Sequence, residues 1–425
     1  MTAPELDPAS ADLAASTDPF GPGRTPRPVD LTGLNRPGLS WRGANDAIGG
    51  AFASSAVPLA GGAVALTGGF PGSDLLPVAE LGRAFHDTLA APGAGTDALQ
   101  YHGPFGVDQV RAWIAADQGA DFDDVLVTNG ALHAVAGVVE ALVDPGDLVV
   151  VEDPTYPFAL RLLRYFGARL LAAPTDADGL DVDWLAARLA AGSRPKLVYT
   201  IPDFQNPTGS TLAAERRVQL LDLAQRYGFV IVSDNPYVKL RFSGPTVAEF
   251  PAGHPQVALA NTFSKLLGPG LRLGWLIVPP WLRDAAIRFR LSTDQHSGLL
   301  TQRAVARLLD APGLIDGVVA RARAAYAERA AVLHDALTAR LGEKVVVRPS
   351  AGGLFLWAQT PGVDLRRTLD RARARGLDFT VGSSFDPDLA RAKYTDRARF
   401  SYSNASPDDL RRAADRFAAA VRATD

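Results

Sequence analysis

The chain has no cysteine. That excludes disulfides, a thiolate nucleophile and any cysteine-ligated metal site, and it leaves the redox compartment open. It has no apolar run long enough to span a bilayer. It has no excess of positive charge: 43 lysines and arginines stand against 46 acids, a net charge of −3. No basic surface therefore argues for nucleic acid. The first stretch, Met1 to Pro19, is acidic and lacks the basic-then-apolar pattern of a signal peptide. Cytoplasm is the expected location, with no membrane and no nucleic-acid partner. No internal repeat is visible. What remains is ordinary in composition and large in size. The chain has 425 residues, 47% of them hydrophobic and 21% charged, enough for a large core and a two-domain enzyme.

Residues 1–38 are rich in Pro, Ala, Asp and Gly without sustained period, and read as a flexible arm. A helix within Leu39 to Ser55 is only weakly signalled, and Ala63 to Pro71 reads as a short strand ending in a Gly-Gly turn. From Val78 the spacing of Val78, Leu81, Phe85 and Leu89 is helical. After a turn-rich link, 101–106, and a helix over 107–116, short apolar strands alternate with amphipathic helices. Strands are expected at 125–128, 148–152, 168–173, 197–201, 229–233, 257–260 and 273–278. Helices are expected at 132–142, 159–166, 184–190 and 213–227. Such alternation predicts an α/β domain with a mostly parallel sheet. From Trp281 to about Leu341 the pattern is helical, broken at Ala311-Pro312-Gly313. The stripe Val319, Ala322, Tyr326, Ala330, Leu333 and Leu337 marks one long helix. Four short strands and two helices close the chain as a smaller α+β domain, and Ser406-Pro407-Asp408-Asp409 is a helix start.

The chemistry concentrates in Asn261 to Trp275, NTFSKLLGPGLRLGW. Between two apolar strands it sets two hydroxyls (Thr262, Ser264), one lysine (Lys265), a Gly-Pro-Gly bend and one arginine (Arg272). A lysine beside buried strands loses its proton readily and can attack a carbonyl. The hydroxyls and the arginine suit a phosphate. An aldehyde and a phosphate on one small molecule describe pyridoxal 5′-phosphate, while a surface turn with a solvated lysine fits the stretch about equally well.

Ligands of open α/β sheets gather beyond the carboxyl ends of the strands. After the strand at 125–128 comes Asn129-Gly-Ala-Leu132, a helix start that offers backbone N–H groups to a phosphate. After 148–152 comes Tyr156 before Pro157, placed either to stack on an aromatic ring or to pack on the core. After 197–201 comes Asn206 before Pro207, held extended, its amide able to donate to a phenolate oxygen. After 229–233 come Asp234, able to pair a pyridinium N–H or simply a cap or salt bridge, and Tyr237, able to donate to a ring oxygen. His296 fits either a pocket or a packed interface.

Together these segments resemble the fold-type I pyridoxal-phosphate aminotransferases of class I/II. Among them the similarity is greatest to the branch with the 2-aminoadipate and kynurenine/aminoadipate aminotransferases and the enzyme-like half of MocR regulators. The resemblance is carried by TGGFP (67–71), LQYHGPFG (99–106), VTNGALHAV (127–135), EDPTYPFAL (152–160), IPDFQNPTGSTL (201–212), SDNPYVKLRF (233–242), NTFSKLLGPGLRLGW (261–275), DQHSGLLTQRAV (294–305), GGLFLW (352–357) and ARFSYSNASPDDL (398–410), in order over residues 63–425.

The resemblance implies an aspartate aminotransferase-like fold, with a mostly parallel central sheet in a large domain and a smaller α+β domain. The expected division is an arm over 1–38, a segment over 39–80 packing with the small domain, the cofactor domain over 81–310 and the small domain over 311–425. It implies that Lys265 carries the cofactor as a Schiff base and shuttles the substrate's Cα proton. Asp234 would pair the pyridine nitrogen, Asn206 and Tyr237 the ring oxygen, and Tyr156 would stack on the ring. Thr262, Ser264, Arg272 and the N–H groups of Ala131 and Leu132 would hold the phosphate. Tyr101 would reach the phosphate and substrate of a neighbouring subunit, so a homodimer with sites at the interface is implied. Arg399 would grip the α-carboxylate, with Asn206 beside it, and Gly69 would line the substrate pocket. A surface salt bridge is the other reading of Arg399.

The implied reaction moves an amino group from an α-amino acid to a 2-oxo acid by a ping-pong cycle. Elimination, decarboxylation, cyclisation or oxidation on the same cofactor is the alternative, and a ligand-sensing regulator a third reading. Departures from the family pattern leave substrate and outcome open. Ala131-Leu132 stands where a polar pair is common, His102 where glycine is usual, Lys239 where an acid is common, and Leu266 where a small polar residue is usual.

Overall fold

The computed structural model describes residues 38–40, 42, 62–388, 391 and 393–423. The expected arm over 1–38 and the weak helix over 39–55 fall outside these, apart from 38–40 and 42.

Fourteen strands lie among the described residues: β1 (Val64–Ala65), β2 (Val125–Thr128), β3 (Leu148–Asp153), β4 (Arg169–Asp176), β5 (Gly179–Leu180), β6 (Leu197–Thr200), β7 (Val230–Asp234), β8 (Val257–Thr262), β9 (Gly274–Ile277), β10 (Val346–Val347), β11 (Phe355–Gln359), β12 (Leu377–Asp378), β13 (Thr380–Val381) and β14 (Arg397–Ser401). Eight of them form one sheet in the order β2-β9-β8-β7-β6-β3-β4-β5. β8, β7, β6, β3 and β4 are parallel to one another. β9 runs antiparallel between β8 and β2, so β2 points the same way as the parallel set. The helices Ala131–Leu142, Pro157–Tyr165, Val182–Ala190 and Ala214–Tyr227 return the chain between strands. β2, β6, β7, β8 and β9 are buried along their whole length. Their near-continuous apolar sequences follow from cover on both faces, and each fully buried Val or Leu contributes roughly 1.5–3 kcal/mol.

The C-terminal part builds a four-stranded antiparallel sheet, β10-β11-β14-β13. β1 pairs in parallel with β12, Val64 opposite Leu377, so residues 64–65 pack against the C-terminal part. The helix Leu314–Leu341 buries the six-residue stripe named above. Ser406 caps the last helix, Pro407–Arg422, accepting the Asp409 N–H at 3.1 Å.

Two expectations are corrected. The strand expected over 63–71 is only Val64–Ala65, because the carbonyls beyond it serve other partners. Leu66 O accepts from Ser401 N, Thr67 O from Arg399 and Gly69 O from Lys265. The helical run from Trp281 to 311 is two helices, Pro280–Thr293 and Leu299–Leu309. Asp294 ends the first, its carboxylate taken by Arg290 and by Asn129 Nδ2 at 2.6 Å.

Candidate active site

Thr128, Gly274 and Thr262 stand level across β2, β9 and β8. Beyond Thr128 the chain turns at Gly130, whose φ of +88° suits glycine, and enters the helix that begins at Ala131. No side chain caps this helix start, so the N–H groups of Ala131 and Leu132 are among its unpaired donors. A Cβ on Gly130 would lie 2.9 Å from Arg272 Nη2, so the glycine lets the guanidinium come close. Arg272 Nη2 also donates to Asn129 O at 2.9 Å. Thr262 and Ser264 face each other, Oγ1 to Oγ at 2.8 Å. A helix N-terminus, a guanidinium and two hydroxyls thus converge on one spot suited to a dianion.

Asp234 ends β7 next to that cradle. Tyr199, buried on β6, donates its hydroxyl to Asp234 Oδ2 at 2.7 Å. Asp234 Oδ1 is buried with no hydrogen-bond partner. Burial pushes this carboxyl up to about 6, against the opposing pull of the Tyr199 hydrogen bond and of Lys265. Lys265 Nζ donates to Gly69 O at 2.8 Å and lies 5.8 Å from the centre of the Tyr237 ring. Desolvation pushes this amine down to about 8; Asp234 opposes the shift, and Arg399 and Arg272 add to it. Burial raises the hydroxyls of Tyr237 and Tyr156 well above the usual tyrosine range, so both remain proton donors. Tyr156 sits at the start of its helix, before Pro157 in the first helical position.

Arg399 lies opposite Trp357 and Thr380 in the small sheet. It is 3% exposed, and no carboxylate pairs with it among the described residues, which removes the surface salt bridge. Its Nη1 donates to Asn206 Oδ1 at 2.8 Å and its Nη2 to Thr67 O. Its Nε is buried without a partner. The guanidinium lies 4.2 Å from the Phe355 ring centre and 4.9 Å from that of Phe385. Burial lowers its pKa to about 10, so it stays charged.

The structure therefore gathers Lys265, Asp234, Tyr237, Tyr156, Asn206, Arg399, Gly69, Thr262, Ser264, Arg272 and the N–H groups of Ala131 and Leu132 at the carboxyl ends of the strands. Tyr101 stands apart: it is 83% exposed, with its ring edge-on to His296 at 5.9 Å. Lys239 pairs with Asp117 at 2.5 Å, and Leu266 is buried in the core. Sequence reasoning missed Tyr199, Glu152, Gln205, Phe355 and Phe385. Glu152, Gln205 and Phe355 lie inside quoted motifs, but nothing local in the sequence shows which partner each meets. The lone Asp234 oxygen is the test of cofactor fit. A buried carboxylate oxygen without a donor suits a pyridine N–H, beside a dianion cradle and a desolvated amine. The residues present fit pyridoxal 5′-phosphate.

A family model described as aminotransferase class I and II matches residues 72–417. The aromatic-amino-acid aminotransferase 1 of Thermococcus litoralis is 31% identical over 84% of this chain and 88% of its own length. The 2-aminoadipate transaminase of Thermus thermophilus is 32% identical over 76% of this chain and 82% of its own. Among solved structures, the alpha-aminoadipate aminotransferase of Thermus thermophilus, complexed with N-(5′-phosphopyridoxyl)-L-leucine, superposes with a TM-score of 0.81 at 29% identity. That match covers 91% of this chain and 99% of the other.

Proposed function

This chain belongs to the class I and II aminotransferases, and from that premise we propose how its own residues move an amino group from an α-amino acid to a 2-oxo acid. The cofactor of the family is pyridoxal 5′-phosphate. The observation that carries the reading is the pairing, in one buried site, of a lysine shifted to about 8 with a carboxylate whose Oδ1 is unpartnered.

Bound pyridoxal phosphate supplies a carbonyl that captures amino groups and a protonated ring that draws off the electron pair left when Cα loses its proton. Arg272, Thr262, Ser264 and the N–H groups of Ala131 and Leu132 hold the phosphate. Asp234 Oδ1 would accept the ring N–H, and its negative charge would keep that proton in place. Tyr237 and Asn206 would donate to the ring oxygen, and Tyr156 would stack on the ring. Arg399 takes the substrate α-carboxylate, with Phe355 and Phe385 fixing the plane of its guanidinium, and Gly69 lines the pocket. Lys265 Nζ would take the proton from the substrate Cα as base and give it, as acid, to the cofactor carbon that bears the carbonyl. A lysine with a pKa near 8 is suited to both roles at neutral pH.

Tyr101 is assigned to the phosphate and substrate of a second copy, which makes the working unit a homodimer with sites at the interface. Its exposure supports this. Among the described residues no helix is long and apolar enough to cross a membrane, and the proposed location is the cytoplasm.

The test is an absorption spectrum of the purified protein with bound cofactor, before and after a panel of amino acids without oxo acid. The expected result is loss of the visible lysine-bound band, a new near-ultraviolet band of the aminated cofactor, and one oxo acid released per site. Ammonia, carbon dioxide or peroxide as the product would overturn transamination. No band after adding pyridoxal phosphate would overturn the site itself.

A further inference from the structure

Two neighbouring strands deliver two of the site's loops. β3 leads into Asp153-Pro154-Thr155-Tyr156, and β6 leads into Pro202 to Gly209, which carries Asn206. Between them lies a buried carboxylate with no part in the chemistry above. Glu152 is 1% exposed on β3. Among the described residues no cation pairs with it. Three donors surround it instead: Thr200 Oγ1 to Oε1 at 2.6 Å, Ile201 N to Oε2 at 3.2 Å and Gln205 Nε2 to Oε2 at 3.0 Å. Gln205 Nε2 also donates to Pro154 O at 2.7 Å. Its Oε1 accepts from Thr208 N at 3.0 Å and from Thr208 Oγ1 at 2.8 Å. The Gln205 amide thus ties the β3 loop to both ends of the turn that presents Asn206. Asn206 is the next residue along, and it holds Arg399 Nη1.

A buried carboxylate with no cation beside it is costly to keep, and an apolar side chain in its place would leave its three donors unmet. The residue is better explained by what it holds in place. We propose that Glu152 and Gln205 are positioning residues that fix the Asn206 amide at the height where it meets both Arg399 and the cofactor's ring oxygen. The inference rests on the reading above, in which Asn206 meets that oxygen. Neither residue touches substrate. Glu152 acts through Gln205, and Gln205 acts through the turn.

The pair has a rule for substitution. Glutamine at 152 can keep its carbonyl oxygen toward Ile201 N and Gln205 and turn its amide toward Thr200, whose hydroxyl rotates from donor to acceptor. Leucine at 152 leaves three donors unmet, and methionine at 205 removes the bridge at nearly constant volume.

The experiment uses the full chain as wild type and as Asn206→Ala, Gln205→Met, Glu152→Leu and Glu152→Gln. Two quantities are read: the dissociation constant of the apoprotein for pyridoxal phosphate, and the pH midpoint of the lysine-bound visible band. Asn206→Ala is expected to weaken binding about tenfold and to move the midpoint by about one unit. Gln205→Met and Glu152→Leu should move both quantities the same way by about threefold or more, and Glu152→Gln should restore them to within about twofold. Wild-type values in Gln205→Met and Glu152→Leu, with Asn206→Ala shifted, overturn the inference and leave the proposed site intact. An unshifted Asn206→Ala overturns the assignment of Asn206 and the inference with it. A Glu152→Gln protein as defective as Glu152→Leu overturns the hydrogen-bonded peg in favour of the bare charge. Should Glu152→Leu not fold, Gln205→Met and Thr208→Val, which removes one donor to Gln205 Oε1, decide by the same readouts.

Discussion

Tyr199 donates its hydroxyl proton to Oδ2 of Asp234 at 2.7 Å and leaves Oδ1 of the same carboxylate unpaired. The tyrosine therefore turns the carboxylate, committing one oxygen to the protein and reserving the other. The same hydrogen bond restrains a pKa that burial has raised to about 6. Tyr199→Phe releases that restraint, so the Asp234 pKa rises further and less carboxylate is present at mildly acid pH. Cofactor affinity should fall several-fold, and the defect should be larger at pH 6 than at pH 8. Titration of the apoprotein with pyridoxal phosphate at both pH values measures this. A defect of equal size at the two values would mean that Tyr199 acts by packing alone.

Lys265 has a folded-state pKa of about 8 against an ordinary value of 10.5. Only the neutral amine attacks an aldehyde. The rate at which apoprotein captures pyridoxal phosphate should therefore rise with pH and level off above a midpoint near 8. Asp234→Asn should lower that midpoint, because the Asp234 charge is what holds the lysine pKa up. The shift also has a stability sign. Between about 8 and 10.5 the unfolded chain binds the proton that the folded chain has lost, so this lysine's contribution to apoprotein stability increases with pH across that window. Lys265→Met should abolish both the capture and that part of the slope. Capture that begins only near pH 10 would show a solvated lysine.

Gly274 lies where three backbones converge. A Cβ there would sit 2.6 Å from Asn261 O and 2.8 Å from both the carbonyl carbon and the Cα of Gly130. None of these is a flexible side-chain end, so the strain cannot be relieved locally. Gly274→Ala should cost about 1–3 kcal/mol and displace Gly130 from Arg272. The expected outcome is a lower unfolding temperature with faster loss of cofactor on dialysis. A variant that loses stability but retains cofactor normally would separate the strand crossing from the phosphate cradle.

The alternation of apolar strands with helices was legible in the sequence because strands covered on both faces are continuously apolar, as in β7 and β8. Tyr156, Asn206, Asp234 and Lys265 were legible because each stands at or just past a strand end, whereas Arg399, Tyr101 and Gly69 came from the family resemblance. Lys265, Asp234 and Asn206 could be placed near one another from topology alone. What could not be read was pairing across strands. Tyr199 looks like one more core residue of β6 until Asp234 is seen beside it. Glu152 is one acid at the end of an apolar run, and only the register of β3 against β6 brings it to Thr200. The strand expected over 63–71 is shorter than its sequence suggests for a related reason. Its residues have strand character, but the Thr67 and Gly69 carbonyls are drawn to Arg399 and Lys265, which lie about two hundred and more positions away in sequence.

Asp203 carries the last prediction. It is 1% exposed and accepts from three donors: Arg217 Nη2 and Asn235 Nδ2 at 3.0 Å, and Arg241 Nη2 at 2.8 Å. Arg241 in turn lies over the Phe204 ring, 4.5 Å from its centre. Phe204 has a φ of +51°, unusual for a bulky residue. Its ring presses on Gly352, where a Cβ would lie 2.2 Å away. The ion pairs therefore hold a strained residue two positions before Asn206. Asp203→Ala leaves the Arg217 and Arg241 guanidinium groups without their counter-charge and should destabilise the protein by about 3–5 kcal/mol. Asp203→Asn keeps acceptors for part of the network and should cost less. Because strain of this kind persists only where its surroundings enforce it, relaxing Phe204 should also raise KM more than it lowers kcat, as the Asn206–Arg399 contact loosens. Chemical denaturation with steady-state kinetics on both variants checks this. A destabilised Asp203→Ala enzyme with wild-type KM would show that the network supports the fold without reaching the site.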